Sequence, residues 1–208
     1  MNDTIAAPDP TVYRLKANAF VGKRVYRLTE DALTWEEEGK PLDGVFYDEI
    51  SEARLAFTPT RMATNRYRAQ FVLRRGGMVE LFNLNYAGIG NFPAQDREYV
   101  AFVTELHRRL AAKGKDIAYR RGNSVAAYIG NIALTIFIFG TLAFVFLFLI
   151  NFGGPWIAIA KLAIILFFVP VLVRYMLRAK PGTYDPLALP ADVLPETGAS
   201  ATKGESTA

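Results

Sequence analysis

The sequence contains no cysteine, which excludes disulfides, cysteine-ligated zinc or iron–sulfur sites and thiol catalysis. It also contains only one histidine, His107, and a single histidine cannot build a histidine-rich metal site. Its place beside Leu106 on a predicted helix indicates an ordinary surface residue. No Ser–His–Asp arrangement can be argued from the sequence. We therefore expect a protein that is not an enzyme and that has no metal site and no cofactor.

Three further signals are missing. The first twenty residues lack a basic region followed by an apolar run, so we expect no cleaved signal sequence. Gly88 and Gly90 precede a predicted helix, but the third glycine and the Gly-Lys-Ser/Thr ending of a phosphate-binding loop are absent. No basic platform interleaved with aromatic residues extends beyond one strand, which argues against nucleic acid as a partner.

No charged residue occurs between Ala126 and Phe152, and a second apolar run extends from Trp156 to Tyr175. A bilayer core needs about 20 consecutive apolar residues in a helix. A helix that is apolar on every face lies either in a large protein core or in a membrane. The pattern therefore predicts transmembrane helices at residues 126–152 and 156–177, joined by the turn Gly153-Gly154-Pro155.

Basic residues flank both predicted spans, whereas the turn between them is uncharged. Because Lys and Arg accumulate on the cytoplasmic side, both termini are predicted to be cytoplasmic in a multi-pass protein of the plasma (inner) membrane. Residues 118–125 form the predicted basic juxtamembrane linker. The residues expected to contact the membrane surface are Lys113, Lys115, Arg120, Arg121, Arg174, Arg178 and Lys180.

Three polar residues fall within the predicted spans. Lys161 lies within snorkelling reach of the outer interface, and a functional role is the alternative. Asn131 and Thr135 are four residues apart and share a helix face, where they are expected to form hydrogen bonds across helices.

The chain before the spans has the pattern of a strand-rich unit. In the clearest segment, Arg66–Arg74, apolar residues alternate with basic residues and Gln70, with Val72 as the one exception, which predicts a strand with one buried face. The basic set Arg66, Arg68, Arg74 and Arg75 is either a solvated sheet face or a ligand or partner face. The other predicted strands are Lys23–Leu28, Ala32–Glu37, Pro41–Tyr47, Ile50–Phe57 and Met78–Leu84, and Tyr13–Phe20 is a possible seventh.

Apolar residues recur at intervals of three and four between residues 94 and 112, which predicts a helix that packs on the sheet. The predicted domain is 12–117. Residues 1–11 and 181–208 are expected to be disordered, the latter because proline and small polar residues dominate them.

The stretch from Tyr26 to Leu55 resembles the bacterial pleckstrin-homology-like (PH-like) family. A strand ends at Leu28-Thr29, the acidic turn Glu30-Asp31 follows, and the second strand leads to Gly39 and to the step Tyr47-Asp48-Glu49-Ile50. The resemblance implies six or seven strands closed by one C-terminal helix, in a fold that serves many binding tasks. Phosphoinositide-binding relatives have a basic first hairpin loop. Here that loop is acidic, so no ligand residues are carried over.

These observations lead to the expectation of an α+β protein: a PH-like domain followed by a two-helix transmembrane hairpin. Its expected function is that of a membrane-anchored, non-enzymatic binding or scaffold protein at the cytosolic face. The alternatives are an accessory subunit of a transporter or envelope complex and an enzyme that acts on lipid. The expected partners are the lipid bilayer and either anionic lipid headgroups or another membrane protein.

Overall fold

The computed structural model describes residues 8–60, 62–113, 116–149 and 180–197. The chain divides into two units. The first consists of residues 1–121 together with 182–208, and the second consists of residues 122–181. The first unit is therefore discontinuous in sequence, and the second is inserted into it.

The first sheet is an antiparallel meander of four strands in chain order, β1 to β4. Tyr13, Tyr26 and Leu33 are buried, as the alternating pattern of these strands requires. Gly39 has a φ of +78°, which a residue with a side chain rarely adopts, in the turn between the third and fourth strands. The strands are β1 (Val12–Leu15), β2 (Arg24–Leu28), β3 (Ala32–Glu37) and β4 (Asp43–Phe46).

The second sheet has five strands in the order β7-β6-β5-β8-β9. All of its pairs are antiparallel except that of β5 with β8, which is parallel. Short 3₁₀ helices occupy Tyr47–Glu49 and Ala191–Val193. The strands are β5 (Ile50–Phe57), β6 (Tyr67–Leu73), β7 (Met78–Phe82), β8 (Ala118–Arg121) and β9 (Gly182–Thr183).

Helix α1 (Asp96–Lys113) places its apolar stripe in the core that the two sheets share. The Arg109 Nη1 group, near its C-terminal end, donates to the carbonyl oxygen of Thr29 at 2.5 Å. This bond fixes the end of the helix against the turn between β2 and β3. Each large apolar side chain that the helix buries stabilises the fold by about 1.5–3 kcal/mol relative to exposure.

The second unit contains helix α2, Val125–Leu149. In the described part of the chain, no helix is found that is long and apolar enough to cross a membrane. The predicted transmembrane span at 126–152 is corrected accordingly, and the predicted span at 156–177 lies outside the described residues. Neither the two-helix hairpin in the predicted fold class nor the multi-pass localisation has support in this structure.

The C-terminal segment also differs from the expectation. Residues 182–197 fold onto the domain, although their composition predicted a disordered tail over 181–208. Val193 is fully buried, and Tyr184, Leu189 and Leu194 pack against the same core. Strand β8 likewise occupies part of the predicted linker 118–125, because pairing with β5 and β9 satisfies its backbone. Residues 1–7 and 198–208 lie outside the described part.

Candidate binding site

A cavity of about 510 Å³ lies beside β7 in the first unit. Its volume is typical of sites that hold a small ligand or part of a larger one. The side chains of Met78, Glu80 and Phe82, which share one face of β7, line one part of it. Leu15 of β1 and Arg24 and Tyr26 of β2 line another part. Three connecting segments line the rest, namely those between β1 and β2, between β5 and β6, and between β7 and α1.

Local hydrogen bonds hold each of the three segments in a defined conformation. In the first, Asn18 Oδ1 accepts from the backbone nitrogens of Phe20 and Val21 at 2.9 and 3.0 Å. In the second, the Ala63 nitrogen donates to the Thr60 hydroxyl oxygen at 3.1 Å. The loops around the cavity are therefore organised before any ligand binds.

The third segment is closed by its own backbone. The nitrogen of Ala87 donates to the carbonyl oxygen of Asn91 at 3.0 Å. The nitrogen of Asn91 donates to the carbonyl oxygen of Gly88 at 3.1 Å. Tyr86 and Phe92, on either side of this turn, make an edge-to-face contact with ring centres 5.8 Å apart and line the cavity.

Arg66 lines the cavity, and its guanidinium packs on an aromatic ring. Its guanidinium carbon lies 3.9 Å from the centre of the Phe82 ring. Across the described part of the chain, its guanidinium has neither a carboxylate within ion-pair distance nor a hydrogen-bond acceptor. Burial, and then the nearby charge of Arg68, lower the pKa of Arg66. A partly buried cation whose N–H donors are unused favours an incoming anion.

The other charged side chains described in the cavity lining, Arg24 and Glu80, already have ion-pair partners. Arg24 Nε lies 2.8 Å from Glu37, which Lys40 also contacts at 2.6 Å. The hydrogen bonds from Lys40 and Arg24 lower the pKa of Glu37 to about 2. Glu80 pairs with Arg68 at 3.2 Å. Among the described residues that line the cavity, Arg66 is thus the charged group with which a ligand can pair without displacing an existing ion pair.

The structure separates the basic set predicted as a ligand or partner face. Arg66 lines the cavity, whereas Arg68 is engaged by Glu80. Arg74 donates from Nε to the carbonyl oxygen of Asp48 at 2.9 Å, and Arg75 is exposed in the turn after β6. Only Arg66 therefore combines a place in the cavity with unused donors.

The residues predicted to contact a membrane surface are largely paired where they are described. Lys113 lies 2.6 Å from Asp31 and 3.2 Å from Glu30, so α1 pairs with the acidic turn between β2 and β3. Arg120 and Arg121 contact carboxylates at 3.4 and 3.2 Å, and Lys180 is exposed. Three others, Lys115, Arg174 and Arg178, lie outside the described residues.

The polar residues of the predicted spans form no described site. Thr135 lies on α2 and is half-buried. Asn131 lies on the same helix, but its side chain is outside the described part, as is the whole of Lys161.

His107 is fully buried, so the prediction of a surface residue is wrong. Its Nδ1 lies 2.7 Å from the carbonyl oxygen of Val103, and its Nε2 lies 2.7 Å from the Tyr184 hydroxyl oxygen. Because a carbonyl only accepts, Nδ1 carries the proton and the Tyr184 hydroxyl donates to Nε2. Burial lowers the pKa of His107 to about 4. The sequence holds the signal: residue 107 follows Val103 by four and precedes Leu110 by three, which places it on the apolar stripe.

The rings of Phe71, Tyr119 and Tyr184 surround His107 at 5.8, 6.1 and 5.7 Å between ring centres. This environment is apolar and closed, and the histidine holds Tyr184 of the C-terminal segment. Its role is therefore structural. In the part of the chain that the structure describes, no group of three His, Asp or Glu side chains is placed to hold a metal ion.

Comparison with known proteins gives little. No protein-family model matches the chain, and no curated protein matches it. Among solved structures, the chain is similar to one described as the structure of the Spt16D Pob3N heterodimer, at 13% sequence identity and a TM-score of 0.30. The match covers 55% of this chain and 54% of that chain, so it spans about half of each. A likeness this weak carries no argument about fold or function.

Proposed function

We propose that this chain is a non-enzymatic binding protein and that the cavity beside β7 is its recognition site. The ligand carries an anionic group, which pairs with Arg66, and an apolar or aromatic part, which packs against the rings of the cavity. The observation that carries the proposal is the guanidinium of Arg66, which is held on Phe82 with its donors unused by the described residues. Arg66 therefore offers bidentate pairing to a carboxylate or phosphate.

The PH-like relationship is part of the proposal. A four-stranded meander, three further antiparallel strands and then α1 follow in the order that the resemblance implies. Strands β8 and β9 are additions to that arrangement. The acidic turn Glu30-Asp31 is paired with Lys113, which supports a recognition site elsewhere on the domain.

The experiment is a calorimetric titration of the full-length protein with phenyl phosphate and benzoate, with benzyl alcohol as the uncharged comparison. We expect both anions to bind and the alcohol to bind at least about tenfold more weakly. Arg66→Gln should weaken the binding of both anions by at least about tenfold, because a guanidinium–anion pair is lost.

Arg75→Gln is the matched control, because Arg75 is an exposed arginine away from the cavity. It should bind both anions within about twofold of the original protein. Equal binding by the Arg66 and Arg75 variants, or no binding of either anion by the original protein, would overturn the proposal.

A further inference from the structure

The backbone of β7 has a free edge. The nitrogen of Asn83 donates to the carbonyl oxygen of Tyr67, and that of Leu73 donates to the carbonyl oxygen of Gly77. Bonded pairs alternate along an antiparallel ladder, so the odd-numbered residues of β7 bond to β6. The N–H and C=O groups of Met78, Glu80 and Phe82 therefore point away from β6.

No strand pairs with that edge in the described part of the chain, because β7 ends the order of its sheet. The Phe82 carbonyl oxygen accepts from the Tyr13 hydroxyl at 2.6 Å, whereas the backbone groups of Met78 and Glu80 remain available. The same residues line the cavity through their side chains. The free edge and the cavity thus adjoin, which is the arrangement that an added strand requires.

Three exposed apolar side chains stand on the three segments that border the cavity. Phe20 is 99% exposed, Ile89 is 90% exposed and Met62 is 65% exposed. Phe20 and Met62 adjoin lining residues in the chain, and Ile89 lies in the turn between the lining residues Tyr86 and Phe92, but none of the three lines the cavity. A molecule held entirely inside the cavity would not contact these three side chains. A ligand that buries them must therefore also extend outside the cavity.

The chemical groups along the free edge of β7 and at Arg66 indicate which class of molecule binds there. Unpaired backbone donors and acceptors in a row favour a polypeptide, because a lipid surface has no repeating amide with which to pair. The cation at Arg66 favours an acidic side chain. Side chains on one face of a strand recur at every second residue, so one extended segment can present acidic and apolar residues to different parts of the surface.

We propose that the edge of β7 binds an extended, acidic polypeptide segment of a partner. The segment pairs with the backbone of Met78 and Glu80, places a carboxylate on Arg66 and packs apolar side chains on Phe20, Met62 and Ile89. This inference rests on the proposed function, since it assigns the ligand of the same cavity.

The test uses a fluorescent peptide of about eight residues in which glutamate and valine alternate, with the full-length protein and fluorescence anisotropy. Two comparison peptides carry glutamine in place of glutamate, or N-methyl groups on alternate backbone amides. We expect either change to weaken binding by at least about tenfold, through loss of the charge pair or of the strand pairing.

The variant Phe20→Ser/Met62→Ser/Ile89→Ser should weaken binding of the glutamate–valine peptide by at least about tenfold. Leu42→Ser/Leu187→Ser is the matched control, because these side chains are 67% and 71% exposed and do not line the cavity. It should bind within about twofold of the original protein. In amide hydrogen exchange on the original protein, the peptide should protect the N–H groups of Met78 and Glu80, a readout that needs no variant.

The outcomes separate the two proposals. Suppose that phenyl phosphate binding depends on Arg66, but that peptide binding is unchanged by the Phe20/Met62/Ile89 variant and by the N-methyl groups. This inference is then wrong and the proposed function stands. Suppose instead that the protein binds only vesicles of equimolar phosphatidylcholine and phosphatidylglycerol, and loses that binding in the Phe20/Met62/Ile89 variant. That result assigns the surface to lipid and also overturns the inference. If neither anion nor peptide binding responds to Arg66→Gln, both proposals fail.

Discussion

At the scale of single residues, His107 of α1 and Tyr184 of the C-terminal segment are joined by a buried hydrogen bond. The histidine is neutral, since its surroundings are rings and one backbone carbonyl group. Tyr184 comes from a distant part of the chain and supplies the hydrogen bond that Nε2 needs. A change in the charge of His107 therefore alters the stability of the whole first unit.

Stability should fall as the pH drops below 6.5. The pKa of His107 is about 4 in the folded protein, below the ordinary value of 6.5. Folding thus favours the neutral ring, and its stabilising contribution is complete above pH 6.5 and is lost as the pH falls toward 4. The expected loss in the free energy of unfolding is about 1.4 kcal/mol per pH unit in that window. Urea denaturation between pH 7 and 5 measures it.

His107→Phe is the control for this pH dependence, since it keeps a ring and cannot titrate. The slope between pH 6.5 and 4.5 should largely disappear in that variant. Glu37 and Glu105, whose hydrogen bonds to basic side chains lower their pKa values to about 2, contribute a separate loss that begins only below about pH 4.5. An unchanged slope in the phenylalanine variant would contradict the assignment.

Tyr184→Phe should reduce the free energy of unfolding by about 1–3 kcal/mol. The substitution keeps the packing of the ring but leaves Nε2 of His107 buried without its donor. Tyr119→Phe is the matched comparison, because Tyr119 packs on the same histidine and no hydrogen bond is described for its hydroxyl. It should change stability by less than about 0.5 kcal/mol. Equal effects of the two substitutions would show that the hydroxyl of Tyr184 contributes nothing.

At the scale of secondary-structure elements, the segment 182–197 completes the sheet and the core. Strand β9 extends the sheet by pairing with β8, and Arg121 Nη1 lies 3.2 Å from Asp192. Val193 is fully buried. The segment is therefore held by a strand, an ion pair and a core side chain.

Val193→Asp should detach this segment from the domain. An unpaired carboxylate in the place of a fully buried valine costs about 3 kcal/mol or more. Limited proteolysis should then cut within 182–197 far faster than in the original protein. Leu187→Asp, at an exposed position of the same segment, should be cut at the original rate. Equal resistance of the two variants would argue that the segment is not anchored through Val193.

The local pattern of the sequence predicts the first seven strands and α1 closely. Strands β3 and β5 have the predicted bounds, and β2, β4, β6 and β7 differ from prediction by one or two residues at their ends. The possible strand at 13–20 corresponds to β1, which ends five residues earlier, at Leu15. Alternation and helical periodicity are local signals, and here the core follows them. Strands β8 and β9 were missed because β8 is short and basic, β9 has two residues, and some sixty residues separate them. Their pairing depends on tertiary contacts that no window of sequence contains.

The candidate site also depends on tertiary contacts that the local sequence does not reveal. Arg66 was named from its alternation with apolar residues, but nothing in that pattern distinguishes it from Arg68, which Glu80 neutralises. The difference depends on which loops meet beside β7. Met62 and Ile89 carry no periodic signal, because each stands in a loop. Phe20, at the end of the possible strand predicted at 13–20, lies in the loop that follows β1.

At the scale of the whole molecule, the first unit is one domain made from two stretches of chain. Arg121 is the register partner of Gly182, and Tyr184 N donates to the carbonyl oxygen of Tyr119 at 3.3 Å. By alternation, the pair formed by residues 121 and 182 is also of the hydrogen-bonded kind. Residues 122–181 therefore leave and re-enter the domain at adjacent points of a hairpin.

Replacing residues 122–181 by Asn-Gly should give a folded domain. A bonded closing pair suits a two-residue turn of this type. We expect cooperative unfolding and the same titration of phenyl phosphate as in the full-length protein. As a comparison, a chain that ends at residue 121 lacks β9 and Val193 and should be less stable by about 3 kcal/mol or more. Failure of the shortened domain to fold would show that the second unit is needed for the first.

The pairing of β8 with β9 has a consequence for synthesis. While the nascent chain emerges from the ribosome, β8 is exposed on one side, and the side chain of His107 lacks its partner until residue 184 has been translated and has left the exit tunnel. The domain therefore cannot complete its folding until residues 182–197 have been synthesised. Closing the loop formed by the sixty inserted residues is also entropically unfavourable. Premature termination within the insertion would release an unfinished sheet with an open edge, a species prone to aggregation.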